Sequence, residues 1–342
     1  MSDTALPQTP RALAFVRRFD VVPVILFGLF AAGPFVAAAS GAEGYVLSLL
    51  TRVMILGLAA LSLDLILGYG ALVSFGHAAF LGIGAYAVGI LSAHGSEDLF
   101  VQVPVALAVS ALFALVTGAL SLRTRGVYFI MITLAFGQML FFLATSLAAY
   151  GGDDGMTLSE RSRVAGSALI ENDAAFYWVC FASLLAAYGL ARAIVISRFG
   201  RVLRGTRDNM VRMEAIGFSP FRYQLVAYVI SGMMAGLAGC LLANQSEFVS
   251  PAYMTWQRSG ELIFMVVLGG IGTLHGAILG AAAFLLLEEF LPEILHGIGF
   301  MLPDEGRAHL VENWKMIFGP LLILIVLFAR GGIMGLWRRR AS

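Results

Sequence analysis

Long apolar runs separated by short polar breaks recur along this chain from Val21 almost to the C-terminus. A helix that crosses the hydrocarbon core of a bilayer needs about 20 mostly apolar residues. Helices of about 17 to 25 residues, fitted between the polar breaks, give these predicted spans: 21–40, 46–67, 77–94, 100–122, 126–148, 173–196, 221–243, 259–272, 275–291 and 313–330. The pattern therefore predicts an all-α polytopic membrane protein with about ten transmembrane helices.

The stretch "FMVVLGGIGTLHGAILGAAAF", within 259–291, is the hardest to assign. As a single helix it would leave the acidic loop 288–312 inside the cell and the last arginine cluster outside, against the positive-inside rule. Charge therefore favours a break at its glycines. Each half is short for a span, so a re-entrant segment is an alternative for one of them.

Composition places the whole chain in a membrane. Of its 342 residues, 59% are hydrophobic and 13% are charged, whereas roughly 25% are charged in an ordinary soluble domain. The arginines cluster at 11–18, 123–125, 198–222 and 330–340, and the breaks between these clusters are acidic or mixed. Because basic residues in short loops are typically cytoplasmic, both termini are expected inside the cell.

The same charge pattern predicts the domain organisation. We expect a cytoplasmic segment 1–20, a transmembrane domain 21–330 with a cytoplasmic loop 197–222, and a basic cytoplasmic tail 331–342. The apolar run after "RALAFVRRF" is longer than the roughly 7 to 15 residues of a secretory signal. The first helix is therefore expected to remain uncleaved.

Motifs of soluble enzymes are missing from the sequence. There is no H-E-x-x-H and no G-x-S-x-G, and the single lysine, Lys315, does not follow the glycine of a Walker A loop. Cys180 and Cys240 lie in predicted spans without metal-ligand spacing. The chain is therefore not a P-loop ATPase by itself, and we expect no catalytic site, metal site, cofactor or nucleic-acid partner. Glycine-rich helices with few charges instead indicate transport.

Residues 65–89, "LILGYGALVSFGHAAFLGIGAYAVG", form a run long enough to span a bilayer, yet glycines, a serine and a histidine interrupt it. Backbone groups freed by such a break are tolerated where protein covers them or where they line a wet cavity, and broken helices of transporters present them to the solute. A tight turn at the cytoplasmic surface is the alternative. "HAAFLG" at 77–82 resembles "HGAILG" at 275–280, which also follows a glycine-rich break. The candidate translocation residues are Asp64, Gly70, Ser74, Gly76, His77, Gly269, Gly270, Gly272 and Thr273.

Asp64 precedes the first break by about one helical turn. An ionisable residue within a span is a functional candidate, and Asp64 with His77 would suit a proton-coupled secondary transporter. A hydrogen bond to a neighbouring helix is the structural alternative. Arg52 lies on the same predicted helix but about 18 Å away, too far for an ion pair. Arg258 and Glu261, three residues apart, are expected to pair at a helix end.

The sequence pattern within loop 197–222 predicts one short helix from Arg204 to Gly217. Arg204, Asp208 and Arg212 would share one face, and Gly217 would end the helix. Such a basic helix can rest on anionic lipid headgroups. The alternative is that it docks another protein.

Four sequence blocks, taken in order, resemble the LivM-type permease of bacterial branched-chain amino-acid ABC importers. They are "LSLDLILGYGALVSFGHAAFLGIGAYA", "TRGVYFIMITLAFGQM", "RGTRDNMVRMEAIGFSPFRYQLVAYVISGMMAGLAGCLLA" and "VVLGGIGTLHGAILGA". The resemblance implies a type II ABC-importer-like permease fold and a multi-pass protein of the bacterial inner membrane. It also implies a second, LivH-like permease, two cytoplasmic ATPases that use ATP and Mg²⁺, and a periplasmic binding protein that delivers branched-chain or other hydrophobic amino acids.

By position, Glu214, Ala215 and Gly217 match the family's cytoplasmic motif, whose helix inserts into a groove of the ATPase. The expected ATPase-coupling residues are Arg204, Arg207, Asp208, Glu214, Ala215 and Gly217. The sequence departs from the family pattern at Asp64, where asparagine is frequent, and at Gln224, where lysine is frequent. Relatives of the family carry urea or short amides, so a urea or amide permease is an alternative function, and a non-transporting membrane scaffold is another.

Overall fold

The computed structural model describes residues 21–158, 160–164, 166–298, 316, 318–320, 323–324 and 331–335. The helices within these residues are α1 (Val21–Ser40), α2 (Glu43–Gly70), α3 (Ala78–Ala93), α4 (Leu99–Ser121), α5 (Val127–Ser146), α6 (Asp173–Ile196), α7 (Arg198–Asp208), α8 (Met210–Ala215), α9 (Pro220–Ser246), α10 (Trp256–Gly269) and α11 (Leu274–Ile298). Two short strands, β1 (Met156–Thr157) and β2 (Phe248–Val249), form an antiparallel pair. The predicted all-α fold class is confirmed.

Six helices of the described part are long and apolar enough to cross a bilayer: α1, α2, α4, α5, α6 and α9. The apolar helix α3 has only 16 residues, and α10 and α11 form a pair bent by 115° at a short break. Each predicted span from 21–40 to 275–291 coincides with one helix, and the break predicted within 259–291 is confirmed. The predicted span 313–330 lies largely outside the described residues, as do segment 1–20 and most of tail 331–342.

The helices α2 and α9 form the centre of the bundle. In their apolar stretches 72% and 67% of the residues are buried, compared with 22% in α4 and in α5. α9 packs against α2, α3 and α4, while α11 packs against α2 and α10. The large apolar side chains that α4 and α5 leave exposed are therefore available to lipid or to another subunit.

The two ends of the bundle differ in charge. One end contains the turn at 121–126, the loop 197–222, and the breaks at 68–77 and 270–273, and we call it the Arg-rich end. The other end contains residues 43–48, 94–98, 147–173 and 246–256, and we call it the acidic end. At the acidic end, Arg161 forms ion pairs with Asp173 at 2.7 Å and Glu247 at 3.1 Å, which fasten the long loop to α6 and α9.

The prediction of one continuous helix from Arg204 to Gly217 is wrong. The backbone of Asn209 is extended, with φ of −159° and ψ of 101°, so α7 ends at Asp208 and α8 begins at Met210. The Asn209 side chain accepts a hydrogen bond from the Arg212 amide at 2.9 Å. Asparagine side chains compete with helix continuation in this way and cap the next helix. Arg212 therefore does not continue the face of Arg204 and Asp208.

Glycines allow α3 and α9 to approach each other closely. A Cβ atom at Gly239 would overlap the backbone of Leu81, and a Cβ atom at Gly84 would overlap the backbone of Gly236. Small residues at helix crossings permit such contacts, which stabilise helix pairs in lipid through van der Waals packing.

We predict that Gly239→Ala destabilises the protein, because the added methyl group must displace the backbone of α3. The expected loss is about 1–3 kcal/mol, typical of overpacking, and it is measured by thermal unfolding in detergent. Gly189→Ala is the matched control, since a Cβ atom there meets no atom within 4 Å and alanine favours a helix by about 0.5–1 kcal/mol. Equal melting temperatures for the two variants would contradict the prediction.

Candidate functional site

The first helix break, between α2 and α3, is covered by protein only toward α3. α2 ends where Ala71 adopts a left-handed conformation with φ of 55°, and the Leu72 amide donates to the Ile66 carbonyl at 3.0 Å. The side chains of Ser74 and His77 are both fully buried, whereas Ala71 is exposed. The end of the break that leads into α3 is thus enclosed within this chain.

Hydrogen bonds fasten this break to the core. His77 Nε2 lies 2.8 Å from Ser62 Oγ, and the Ser62 carbonyl accepts a hydrogen bond from Ser231 Oγ at 2.5 Å. The Ala78 amide, at the start of α3, donates to Ser259 Oγ of α10 at 3.0 Å. Residues from α2, α9 and α10 therefore hold the start of α3.

Of the two candidate glycines at the first break, only Gly76 is required for close packing. Gly70 lies near Leu203 of α7, and a Cβ atom at Gly76 would overlap the Thr133 carbonyl of α5. Neither glycine has a positive φ. A larger residue at Gly76 would separate the break from α5, whereas Gly70 has room for a small side chain.

The second break, between α10 and α11, depends on the conformational freedom of glycine. Gly270 and Gly272 have φ of 117° and 77°, values that side-chain-bearing residues rarely adopt. Thr273 Oγ1 donates to the Gly270 carbonyl at 2.6 Å. Gly269 lies against the backbone of Gly276, which brings the two bent halves together.

The two breaks meet at the Arg-rich end. Asp64 Oδ1 accepts a hydrogen bond from the Gly272 amide at 2.7 Å, across 208 positions of sequence. A Cβ atom at Gly68 would overlap both Asp64 and the backbone of Gly272. Arg207 of α7 donates to the Gly68 carbonyl. We call Asp64, Gly68, Arg207 and Gly272 the inner junction.

The predicted coupling residues differ in their contacts. Arg207 joins the inner junction, while Arg204 donates to the Val195 carbonyl at the end of α6 at 3.2 Å. All six predicted coupling residues are exposed, although the guanidinium group of Arg207 reaches the Gly68 carbonyl. The loop 197–222 therefore has an exposed face that carries these residues and a buried face of Gly200, Val202, Leu203, Thr206 and Met213.

Gly217 ends α8 with the geometry that its position predicted. Its φ is 91°, its amide donates to the Glu214 carbonyl at 2.9 Å, and the Phe218 amide donates to the Met213 carbonyl at 3.1 Å. This pair of bonds is the Schellman motif. It determines the direction in which the chain leaves α8 and enters α9.

Sequence reasoning missed two features of this end. Gly68 was predicted as part of the first break but not as a candidate translocation residue, because its role depends on its distance from Gly272. Val211 of α8 and Ile216, the residue after it, are apolar but 68% and 64% exposed. Both residues lie close in sequence to the buried Met213. With the boundaries of α8 known, this spacing would have predicted that their side chains are exposed.

A cavity of about 270 Å³ opens beside the inner junction. Its walls are residues 70–73 after α2, residues 122–130 around the start of α5, and residues 206–210 at the α7–α8 break. Arg125 and Arg207 line it together with Asp208. The cavity follows the connections between helices, so movement of loop 197–222 would change its shape.

An all-helical membrane bundle with two helix breaks joined to a basic surface loop is typical of a transport permease, and comparison with known proteins agrees. The family model described as a branched-chain amino acid transport system permease component matches residues 45–327, and the chain belongs to this family. It is thus an ABC importer permease, as the resemblance predicted, and a multi-pass inner-membrane protein. No solved structure matches the chain.

Individual relatives are permeases of the same kind. The chain is 27% identical over 314 residues to the high-affinity branched-chain amino acid permease LivM of Salmonella typhimurium, an alignment that covers 84% of this chain and 69% of LivM. It is 29% identical over 170 residues to LivH of Escherichia coli, covering 49% of each chain. It is 28% identical over 155 residues to BraD of Pseudomonas aeruginosa, covering 45% of each.

We predict that Asp64→Asn preserves the inner junction, because an amide oxygen accepts a hydrogen bond as a carboxylate oxygen does. Thermal stability and solute uptake should remain near those of the unmodified protein. Asp64→Leu, the contrasting variant, leaves the Gly272 amide without its acceptor and should lower the free energy of unfolding by about 1–3 kcal/mol. Loss of uptake in an assembled Asp64→Asn complex would instead favour proton-coupled transport.

Proposed function

We propose that this chain is the translocating permease subunit of an importer for branched-chain or other hydrophobic amino acids. Two separate ATPases, which bind ATP and Mg²⁺, drive it from the cytoplasm, and a periplasmic binding protein delivers the solute. A LivH-like chain is its partner permease. The names of the relatives support the solute class, and the similarity of this chain to both LivM and LivH supports the pairing.

The inner junction is the observation that carries this proposal. Arg207 belongs to the same helix, α7, as the exposed Asp208, and contacts the Gly68 carbonyl at the end of the central span α2. Asp64, one turn earlier in α2, accepts a hydrogen bond from the second break. A force applied to loop 197–222 therefore reaches both helix breaks through direct contacts.

The exposed part of the loop has the character of a docking surface. Val211 and Ile216 extend apolar side chains into solvent, while Glu214 and Arg212 are exposed on the same short helix. A purely headgroup-bound helix would direct its apolar side chains into the membrane. The mixed surface, held rigidly by the Asn209 cap and the Gly217 motif, suits a protein groove.

We predict that Gly217→Val and Glu214→Arg reduce ATPase binding or uncouple ATP hydrolysis from leucine uptake. Valine at φ of 91° costs about 1–2 kcal/mol in the left-handed region and redirects the chain, and arginine reverses an exposed charge. Co-purification of the ATPases and uptake in proteoliposomes measure both effects. Gly44→Val, with open space around its Cβ position, and Glu171→Arg at the acidic end are the controls. Unchanged ATPase affinity and uptake would show that the loop is only a membrane-surface segment.

The proposal also requires that the Arg-rich end faces the cytoplasm, as the positive-inside rule indicates. Single cysteines at Asp154 and Ser219, both exposed, are introduced after replacement of the buried Cys180 and Cys240. A membrane-impermeant thiol reagent should modify position 154 from outside intact cells and position 219 only after permeabilisation. The reverse pattern would overturn the orientation. Thr206 would be an uninformative site, because it is only 4% exposed.

A further inference from the structure

A second cavity, of about 320 Å³, lies toward the acidic end. Its walls come from the first half of α2, the end of α9, the turn Pro251–Met254 and the start of α10. Two arginines, Arg52 and Arg258, line it together with the apolar residues Leu56 and Leu242. The lining of the cavity thus combines cationic, polar and apolar side chains.

Arg52 is the distinctive group of this cavity. It lies nine residues after the start of α2, about 14 Å along the helix at 1.5 Å per residue. Arginine within a spanning helix is costly and usually faces a bundle interior or a wet cavity on a solute pathway. In the part of the chain that the structure describes, Arg52 has no hydrogen-bond or ion-pair partner, whereas Arg258 pairs with Glu261 at 2.6 Å, as its spacing predicted. The positive charge of Arg52 is therefore uncompensated there.

The polar wall is held by bonds between neighbouring elements. Gln245 Nε2 donates to the Ser48 carbonyl at 2.8 Å, which leaves the buried Gln245 Oε1 without a partner among the described residues. Ser246 Oγ lies 2.9 Å from the Tyr253 hydroxyl. These bonds restrain the side chains around the guanidinium groups and connect α2 with the end of α9.

We propose that this cavity binds the carboxylate of a small apolar carboxylic acid, with Arg52 as the principal partner and the apolar tail against Leu56 and Leu242. In the transport cycle it would receive the carboxylate end of the arriving amino acid, so its role in transport rests on the proposed function. Arginine forms bidentate, charge-assisted hydrogen bonds with carboxylates. The volume lies at the lower end of the roughly 300–1,000 Å³ of small-ligand sites. Gln245 Oε1 can accept a bond from an ammonium group.

Direct binding to the assembled complex in phosphatidylcholine nanodiscs, without the binding protein, tests the site. The probe is 4-methylpentanoate, which has the carboxylate and the branched tail of leucine, and leucinamide and inorganic phosphate are the comparison ligands. We expect 4-methylpentanoate to bind more tightly than either. Arg52→Gln should weaken its binding about tenfold or more, the range of a lost hydrogen bond to a charged group.

Matched variants separate the site from general effects. Arg163→Gln removes an arginine at the same end that pairs with Glu97 and Glu160 outside the cavity, and it should leave binding unchanged. Arg52→Lys retains the charge without the bidentate geometry and should have intermediate affinity. If the Arg52→Gln complex does not assemble, Leu242→Trp is the alternative variant. The larger side chain should occupy part of the cavity without altering either arginine, and it should also weaken the binding of 4-methylpentanoate.

The outcomes separate this inference from the proposed function. Equal binding of 4-methylpentanoate to unmodified, Arg52→Lys and Leu242→Trp complexes, or no binding at all, would overturn the site. Loss of binding when phosphatidylglycerol is added would also overturn it, because Arg52 would then hold a lipid phosphate. If binding depends on Arg52 but the unmodified complex takes up no leucine, the site stands and the proposed solute is wrong. Leucine uptake without Arg52-dependent binding leaves the function intact and removes the site.

Discussion

The constraint on which this structure depends is the need to satisfy backbone groups where helices break at membrane depth. Without water, each unpaired amide or carbonyl costs several kcal/mol. The chain meets this need by bringing its two breaks together: Asp64 accepts from the Gly272 amide, and Arg207 donates to the Gly68 carbonyl. One backbone group at each interruption is thus paired, the Gly272 amide by a side chain of α2 and the Gly68 carbonyl by a side chain of the surface loop.

This solution also connects the loop 197–222 with both helix breaks, the parts that move together in the proposed function. A hydrogen bond between distant helices gives stability wherever it occurs, but Arg207 belongs to the exposed face of α7, in the loop 197–222. Its removal from Gly68 would leave a carbonyl unpaired near the end of α2. The loop therefore cannot shift without a consequence at the first break, and Gly272 extends that consequence to the second. Chains of direct contacts can couple two distant sites when the elements that connect them have two discrete arrangements.

Charge gives the two ends of the bundle different roles. At the Arg-rich end, Arg207 donates a hydrogen bond to the Gly68 carbonyl of α2. At the acidic end, Arg161 and Arg163 are paired with carboxylates, whereas Arg52 lines a cavity and has no such partner among the described residues. A guanidinium within a span retains its hydration or finds an anion, so the cavity at Arg52 is a place where a solute carboxylate would replace water.

The sequence by itself determined the solvent, the positions of the spans, the break at the second glycine cluster, the family and the pairing of Arg258 with Glu261. These follow from local composition and spacing, which the bilayer and helix geometry convert directly into structure. Only the tertiary structure decided that Asp64 binds Gly272, that Gly68 and Gly76 permit close packing, and that Arg207 reaches the Gly68 carbonyl. Such contacts join residues as many as 208 positions apart, and no periodicity encodes which distant group lies opposite. The interruption at Asn209 was local but still missed, because asparagine can cap a helix or continue it, and the packing of Met213 against α7 favours the cap.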